Sequence, residues 1–204
     1  MSKVLIPSLA GVGAAGLGGG IYLTHKNSSE ERKTILLRLE KEKYKPLKAS
    51  DSNHQAHWEA SLTYYKQQYS QKTSYTEQEL KNLCGSLFKQ DDIKEEDYST
   101  AKRYCVVPRT VSQRLEDLGF KAIESSATDK WKKLSGAYKN SGKGGKQLGN
   151  LESTTIDDSE STGEKLKNKC QEISSKNHWE SDYDSLLENF KIWCTDKGFN
   201  ELPA

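Results

Sequence analysis

Beyond about Ser50 the chain presents the same landmarks twice in the same order, which limits it to folds built from two related units. Trp58 and Trp131 are each followed seven residues later by a Tyr-Lys pair, Tyr65-Lys66 and Tyr138-Lys139. An LKNxC motif comes next, ending at Cys84 and Cys170, then an aromatic-cysteine pair, Tyr104-Cys105 and Trp193-Cys194. A DxGF motif closes each set, from Asp117 to Phe120 and from Asp196 to Phe199. The intervals drift, from 21 to 24 residues between the cysteines and from 19 to 32 between the tyrosine and the first cysteine. The excess in the second unit falls in SGKGGKQLGN, residues 141–150, and the polar stretch to Gly163, which reads as an exposed loop.

Helix punctuation recurs in both units. Thr76 to Glu79 is a capping-box pattern ahead of Leu80, Leu83, Cys84 and Leu87 at helical spacing. Thr110 to Gln113 repeats it before Val111, Leu115 and Leu118, with Gly119 where a helix end wants a left-handed residue. Ser181 to Asp184 precedes Leu186, Leu187, Phe190 and Cys194, with Gly198 in the matching stop position, and Pro108 separates two helices. No useful stretch alternates as a strand would. The expectation is an all-α chain, each unit a small bundle of two to four short helices.

Such bundles need help. Only 33% of the residues are hydrophobic and mean hydropathy is -0.87, so the core is thin, although 10 Tyr and 4 Trp supply bulky contacts. Closing a loop of about 20 residues with a disulfide is worth about 3 kcal/mol in the chain-entropy model. Equivalent placement favours Cys84 with Cys105 and Cys170 with Cys194. Pairing across units stays open, as do four buried thiols in a reducing compartment. A zinc site recruiting His54, His57 and His178 lacks the close CxxC pairs of structural zinc.

Residues 4–23 carry no charge and hold twelve apolar residues with six of the 15 glycines. Twenty helical residues cross a hydrocarbon layer of ~30 Å, so one span is expected, retained as an anchor or, alternatively, cleaved as a signal peptide. Gly11, Gly13 and Gly16 fit GxGxxG, but Pro7 spoils the strand that a dinucleotide site requires, and a charged helical run, EERKTILLRLEKEKYK, follows instead of a second strand. The division reads as an anchor or signal segment over 1–26, a charged juxtamembrane helix over 27–50, and helical repeat units over 51–123 and 124–204. Basic residues after the span, Lys26, Arg32, Lys33 and Arg38, outnumber Lys3 before it, which favours a cytoplasmic body. The cysteines favour an exterior one.

The short MSK start, the Gly-rich apolar segment through Tyr22, and a Lys-, Glu- and Ser-rich body with Trp, LxxxC and Trp-Cys landmarks resemble the uncharacterised paralogous proteins that haemotropic mycoplasmas encode in large numbers. That resemblance implies a membrane-anchored, exported or surface protein and tips the body toward the outside. It implies no catalytic residue.

Nothing in the sequence spells an active site. His25, His54, His57 and His178 stand in no nucleophile motif, and His57-Trp58 and His178-Trp179 read as helix-surface neighbours of an aromatic anchor. No cofactor or metal is expected. Lys130, Lys132, Lys133, Lys139, Lys143 and Lys146 interleave with Trp131 and Tyr138, as on a strand-binding or anionic-lipid surface, but an acidic stretch follows at once, so nucleic acid is a poor candidate. Two classes of function remain. The first is a single-pass cell-membrane protein with an extracellular body that meets a host or envelope protein, antigen-like and without catalysis. The second is a cytoplasmic-facing membrane-bound adaptor or polyanion binder. Trp58 with Tyr65 and Trp131 with Tyr138 lie on one helix face in each unit and are read as core, leaving binding to variable loops such as 141–150.

Overall fold

Thr34 caps the first described helix by accepting the amide of Leu37 on its hydroxyl, which satisfies one of the amides a helix start leaves bare. The computed structural model describes residues 34–157 and 162–203. Helix α1, Ile35–Lys41, buries Ile35 and Leu39 one turn apart and ends where Lys43 turns left-handed at φ 61°. Tyr44 then donates back to the Leu39 carbonyl at 2.8 Å. The chain next makes a short antiparallel contact with its own later part: Leu47 donates to the Cys105 carbonyl and Val107 to the Lys45 carbonyl, both at 2.8 Å.

Helix α2, Gln55–Gln68, carries Trp58, whose indole N–H reaches the Lys48 carbonyl. Helix α3, Glu77–Phe88, opens with the reciprocal Thr76 and Glu79 capping box. Helix α4, Glu95–Tyr104, has Glu95, Glu96 and Asp97 in its first turn and Lys102 and Arg103 in its last, the arrangement its dipole favours. Cys84 bonds Cys105, stapling α3 to the end of α4. Helix α1 lies on α3 and α4, and its Ile35 amide donates to the Gln90 carbonyl just past α3.

The second half repeats most of these bonds. Thr110 caps α5, Val111–Leu118, through Gln113, and Val111 donates to the Lys176 carbonyl as Ile35 does to Gln90. Gly119, at φ 84°, stands where Lys43 stands, and Phe120 donates to Leu115 as Tyr44 does to Leu39. Ile123 donates to the Cys194 carbonyl and Asp196 to that of Lys121. Helix α6, Thr128–Ser141, carries Trp131, whose indole reaches the Glu124 carbonyl at 2.9 Å. Helices α7, Glu164–Ser174, and α8, Tyr183–Trp193, are stapled by Cys170–Cys194. Thr195 then caps one more short helix, α9, Asp196–Asn200.

Each half owns a core. The first is built from Ile35, Leu39, Trp58, Tyr65, Leu80, Leu87 and Tyr104, and the second from Val111, Leu115, Trp131, Leu134, Leu166, Ile173 and Trp193. Both disulfides are buried in these cores. The all-α expectation therefore stands for the described residues, which contain no strand beyond two isolated bridges.

The structure draws the repeat differently from the sequence. Helix α1, set apart within 27–50, supplies the first core, while α5, placed at the end of 51–123, opens the second half. The DxGF motif caused the shift. Asp117 to Phe120 ends a helix, whereas Asp196 to Phe199 lies within α9, and Gly198 is no stop. A Cβ on Gly198 would lie 2.0 Å from the Ile192 carbonyl oxygen, so its role is to let α9 approach the end of α8. Ser181 does not cap α8 either, which starts after Asp182 without a side-chain cap bond. Among the described residues no helix is long and apolar enough to cross a membrane. The span expected over residues 4–23 lies outside them.

Candidate functional site at the joint between the halves

The residues singled out by the repeat lie inside the two cores. Tyr65 meets Tyr104 edge-on at 5.1 Å, and Tyr138 meets Trp193 in the same way at 5.0 Å. Trp58, Trp131 and Tyr138 are at most 3% exposed. No base or partner side chain can stack on Trp131 or Tyr138 while the fold holds, and the exposed Lys132, Lys133, Lys143 and Lys146 stand without them.

The 141–150 loop is exposed over most of its length, as its composition suggests, but it is pinned to the core. Leu148 is fully buried, its amide donates to the Tyr138 hydroxyl, and that hydroxyl donates to the Leu151 carbonyl. Trp193 and Asn189 reach the carbonyls of Lys146 and Gln147. In the first half, Tyr69 and Tyr75 pack on Tyr65 beside a much shorter connection. The longer loop thus fills with Leu148 part of a core that tyrosines fill in the other half.

What the sequence did not announce is the joint. Arg114, on α5 and only 3% exposed, reaches out of its own half to the end of α1. It donates to the Lys43 carbonyl at 2.7 Å and to the Glu42 carbonyl at 2.5 Å, with its guanidinium 3.7 Å from the Tyr44 ring centre. A cation at a helix C-terminus and over an aromatic face is favourable on both counts. His178 lies buried in the turn before α8, with Nε2 3.0 Å from the Arg103 carbonyl. A carbonyl only accepts, so that nitrogen carries the proton. Burial pulls the His178 pKa down to about 4; the Arg103 carbonyl and Asp184 only partly offset this, and Lys102 and Arg103 add to it. The imidazole is neutral at pH 7. His178-Trp179 is therefore no helix-surface pair: Trp179 stacks on Tyr64 of the first half at 4.2 Å.

Lys102 and Asp184 close the joint at 2.7 Å. Burial, the largest single influence, would lower the Lys102 pKa, but Asp184 and Tyr44 together outweigh it and the net shift is upward. Beside this pair runs a cleft of about 550 Å³ lined by Arg38, Glu95, Tyr69, Tyr104, His178 and Asp184 among others. Arg38 is bonded to Glu95 at 2.6 Å, and Tyr98, whose pKa burial drives well above its usual value, donates to Glu42. The cleft is polar, of mixed charge and crossed by ion pairs. Its one histidine is committed to a carbonyl, and a group with so low a pKa is a poor base at pH 7. Among the described residues no three His, Cys, Asp or Glu side chains gather as a metal site.

No known protein family, curated protein or solved structure matches the chain.

Proposed function

We propose that this chain is a membrane-tethered interaction protein whose body lies on the oxidising, outer side of the membrane and binds a host or envelope protein without catalysis. The carrying observation is the pair of equivalent disulfides, each buried in the core of its half. Disulfides persist in oxidising compartments and are rare where thiols are kept reduced. The uncharged run over 4–23 supplies the tether. The mixed-charge joint and its cleft offer the partner a surface of polar groups already held in place.

The second reading, a cytoplasmic-facing polyanion binder, draws on exposed Lys132, Lys133, Lys143 and Lys146. It lacks stacking groups, because the neighbouring aromatics are core. An impermeant thiol reagent applied after reduction separates the two readings. Labelling on intact cells places the body outside; labelling confined to lysed cells, or free thiols before reduction, would overturn the proposal.

A further inference from the structure

The joint is made between an edge of the second half and a face of the first. The edge supplies Arg114, His178, Trp179 and Asp184; the face supplies Tyr44, Lys102, the Arg103 carbonyl and Tyr64. Because the halves correspond helix by helix, each also has positions equivalent to the other's element. The second half has a face of its own, with Phe120, Lys191, the Ile192 carbonyl and Ala137 in the places of Tyr44, Lys102, the Arg103 carbonyl and Tyr64. Lys191 lies over Phe120 at 5.6 Å as Lys102 lies over Tyr44 at 5.8 Å. The first half has an edge, with Arg38 and Glu95 in the places of Arg114 and Asp184.

Helix α9 covers the second face by imitating a following half. Thr195 caps it as Thr110 caps α5. Lys197 lies over Phe120 at 5.3 Å where Arg114 lies over Tyr44, and Gly198 sits against the Ile192 carbonyl where His178 sits against that of Arg103. The imitation is incomplete. A cleft of about 490 Å³, lined by Leu118, Gly119, Phe120 and Asn200 among others, remains at the end of α5, in the position that Arg114 fills at the end of α1.

We propose that α9 is a displaceable plug, and that with α9 displaced this face takes the first-half edge of a second copy of the chain. Glu95 of the incoming copy then takes Lys191 from Glu188 and pairs with it as Asp184 pairs with Lys102, and Arg38 leaves the Tyr98 ring to lie over Phe120 as Arg114 lies over Tyr44. Glu95 is suited to the exchange, since its side chain is 76% exposed while bonded to Arg38. The contact joins unlike surfaces, so copies add head to tail, into a ring where the rotation closes and into a filament where it does not. The internal joint supplies the template for every contact in it, and the inference is independent of which side of the membrane the body occupies.

The test is Gly198→Val in the full chain, held in detergent micelles and followed by sedimentation velocity over a wide range of concentration. The added side chain cannot fit beside the Ile192 carbonyl, so α9 leaves its seat. The parent should sediment as one species, and the variant should grow with concentration to about twice the monomer mass and beyond. Adding Glu95→Lys should abolish the growth, and Lys191→Glu on top of it should restore it. A Gly198→Val chain that stays monomeric overturns the proposal, as does association indifferent to Glu95→Lys. Should Gly198→Val fail to fold, a chain ending at Asp196 keeps the bond to Lys121 and removes the rest of α9. If that chain also unfolds, α9 is part of the core and no plug.

Discussion

The guanidinium of Arg114 lies 3.7 Å from the ring centre of Tyr44, while two of its nitrogens hold the carbonyls that end α1. One side chain thus closes a helix of the other half and locks the halves together. Among the described residues no carboxylate is ion-paired with it, and its charge is met by carbonyls and a π face. Arg114→Ala should cost about 3 kcal/mol, in the range of losing charge-assisted bonds that leave their partners buried. Arg114→Lys should recover only part of this, because an ammonium cannot reproduce a planar two-pronged contact. Denaturant unfolding checks both; a loss within about 0.5 kcal/mol for Arg114→Ala would remove the joint from the stability account.

His178 makes the same joint sensitive to acid. Its ordinary value of 6.5 falls to about 4 in the folded chain, chiefly through burial, amid Lys102, Arg103 and Asp184. A lowered histidine pKa favours the folded state when the ring is neutral, so this stability is complete above about pH 6.5 and drains away as the pH falls toward 4. The full loss is about 3 kcal/mol. His178→Gln retains an N–H donor and does not titrate. Its unfolding free energy should be flatter between about pH 6.5 and 4 than that of the parent; parallel profiles for the two proteins would refute the assignment.

Trp58 and Trp131 are buried, and each ties its helix to a carbonyl of the preceding segment. Changing either to Ala should cost about 3 to 5 kcal/mol, as other large-to-small core changes do. Calorimetry reads the cost. A variant that keeps its midpoint yet loses a binding partner would make these aromatics a contact surface instead.

Lys43 occupies a left-handed conformation that Gly119 occupies in the second half. A side chain pays about 1 kcal/mol there, and its bond to the Leu118 carbonyl, at 3.5 Å, is long and exposed. Lys43→Gly should therefore raise stability by roughly 0.5 to 1 kcal/mol. A fall in midpoint on thermal unfolding would show that this lysine holds the joint more tightly than its geometry suggests.

The landmarks legible in the sequence are those whose side chains do the same physical job twice. Trp58 and Trp131 each donate one bond to one carbonyl, and each cysteine pair closes one helix corner. The likeness of helices α1 and α5 is faint in the letters because each buries so few apolar residues and because it resides in backbone bonds that any residue can make. The joint was hidden for a related reason. Arg114 and His178 bind carbonyls more than 70 residues away, and any residue type can offer a carbonyl. The DxGF motif misled in the opposite sense, because the same letters arose from two needs, a left-handed stop at Gly119 and a close helix approach at Gly198.

The stack of Trp179 on Tyr64 has an optical consequence. Three of the four tryptophans, Trp58, Trp131 and Trp193, are sealed in a core with the indole N–H on a carbonyl, and their emission tracks unfolding of one half or the other. Trp179 lies across the joint, face to face with a tyrosine of the other half, and its indole N–H finds no acceptor among the described residues. Separating the halves without melting either would bring water to this one fluorophore alone, so a red shift at constant helicity is the built-in signal of an opened joint.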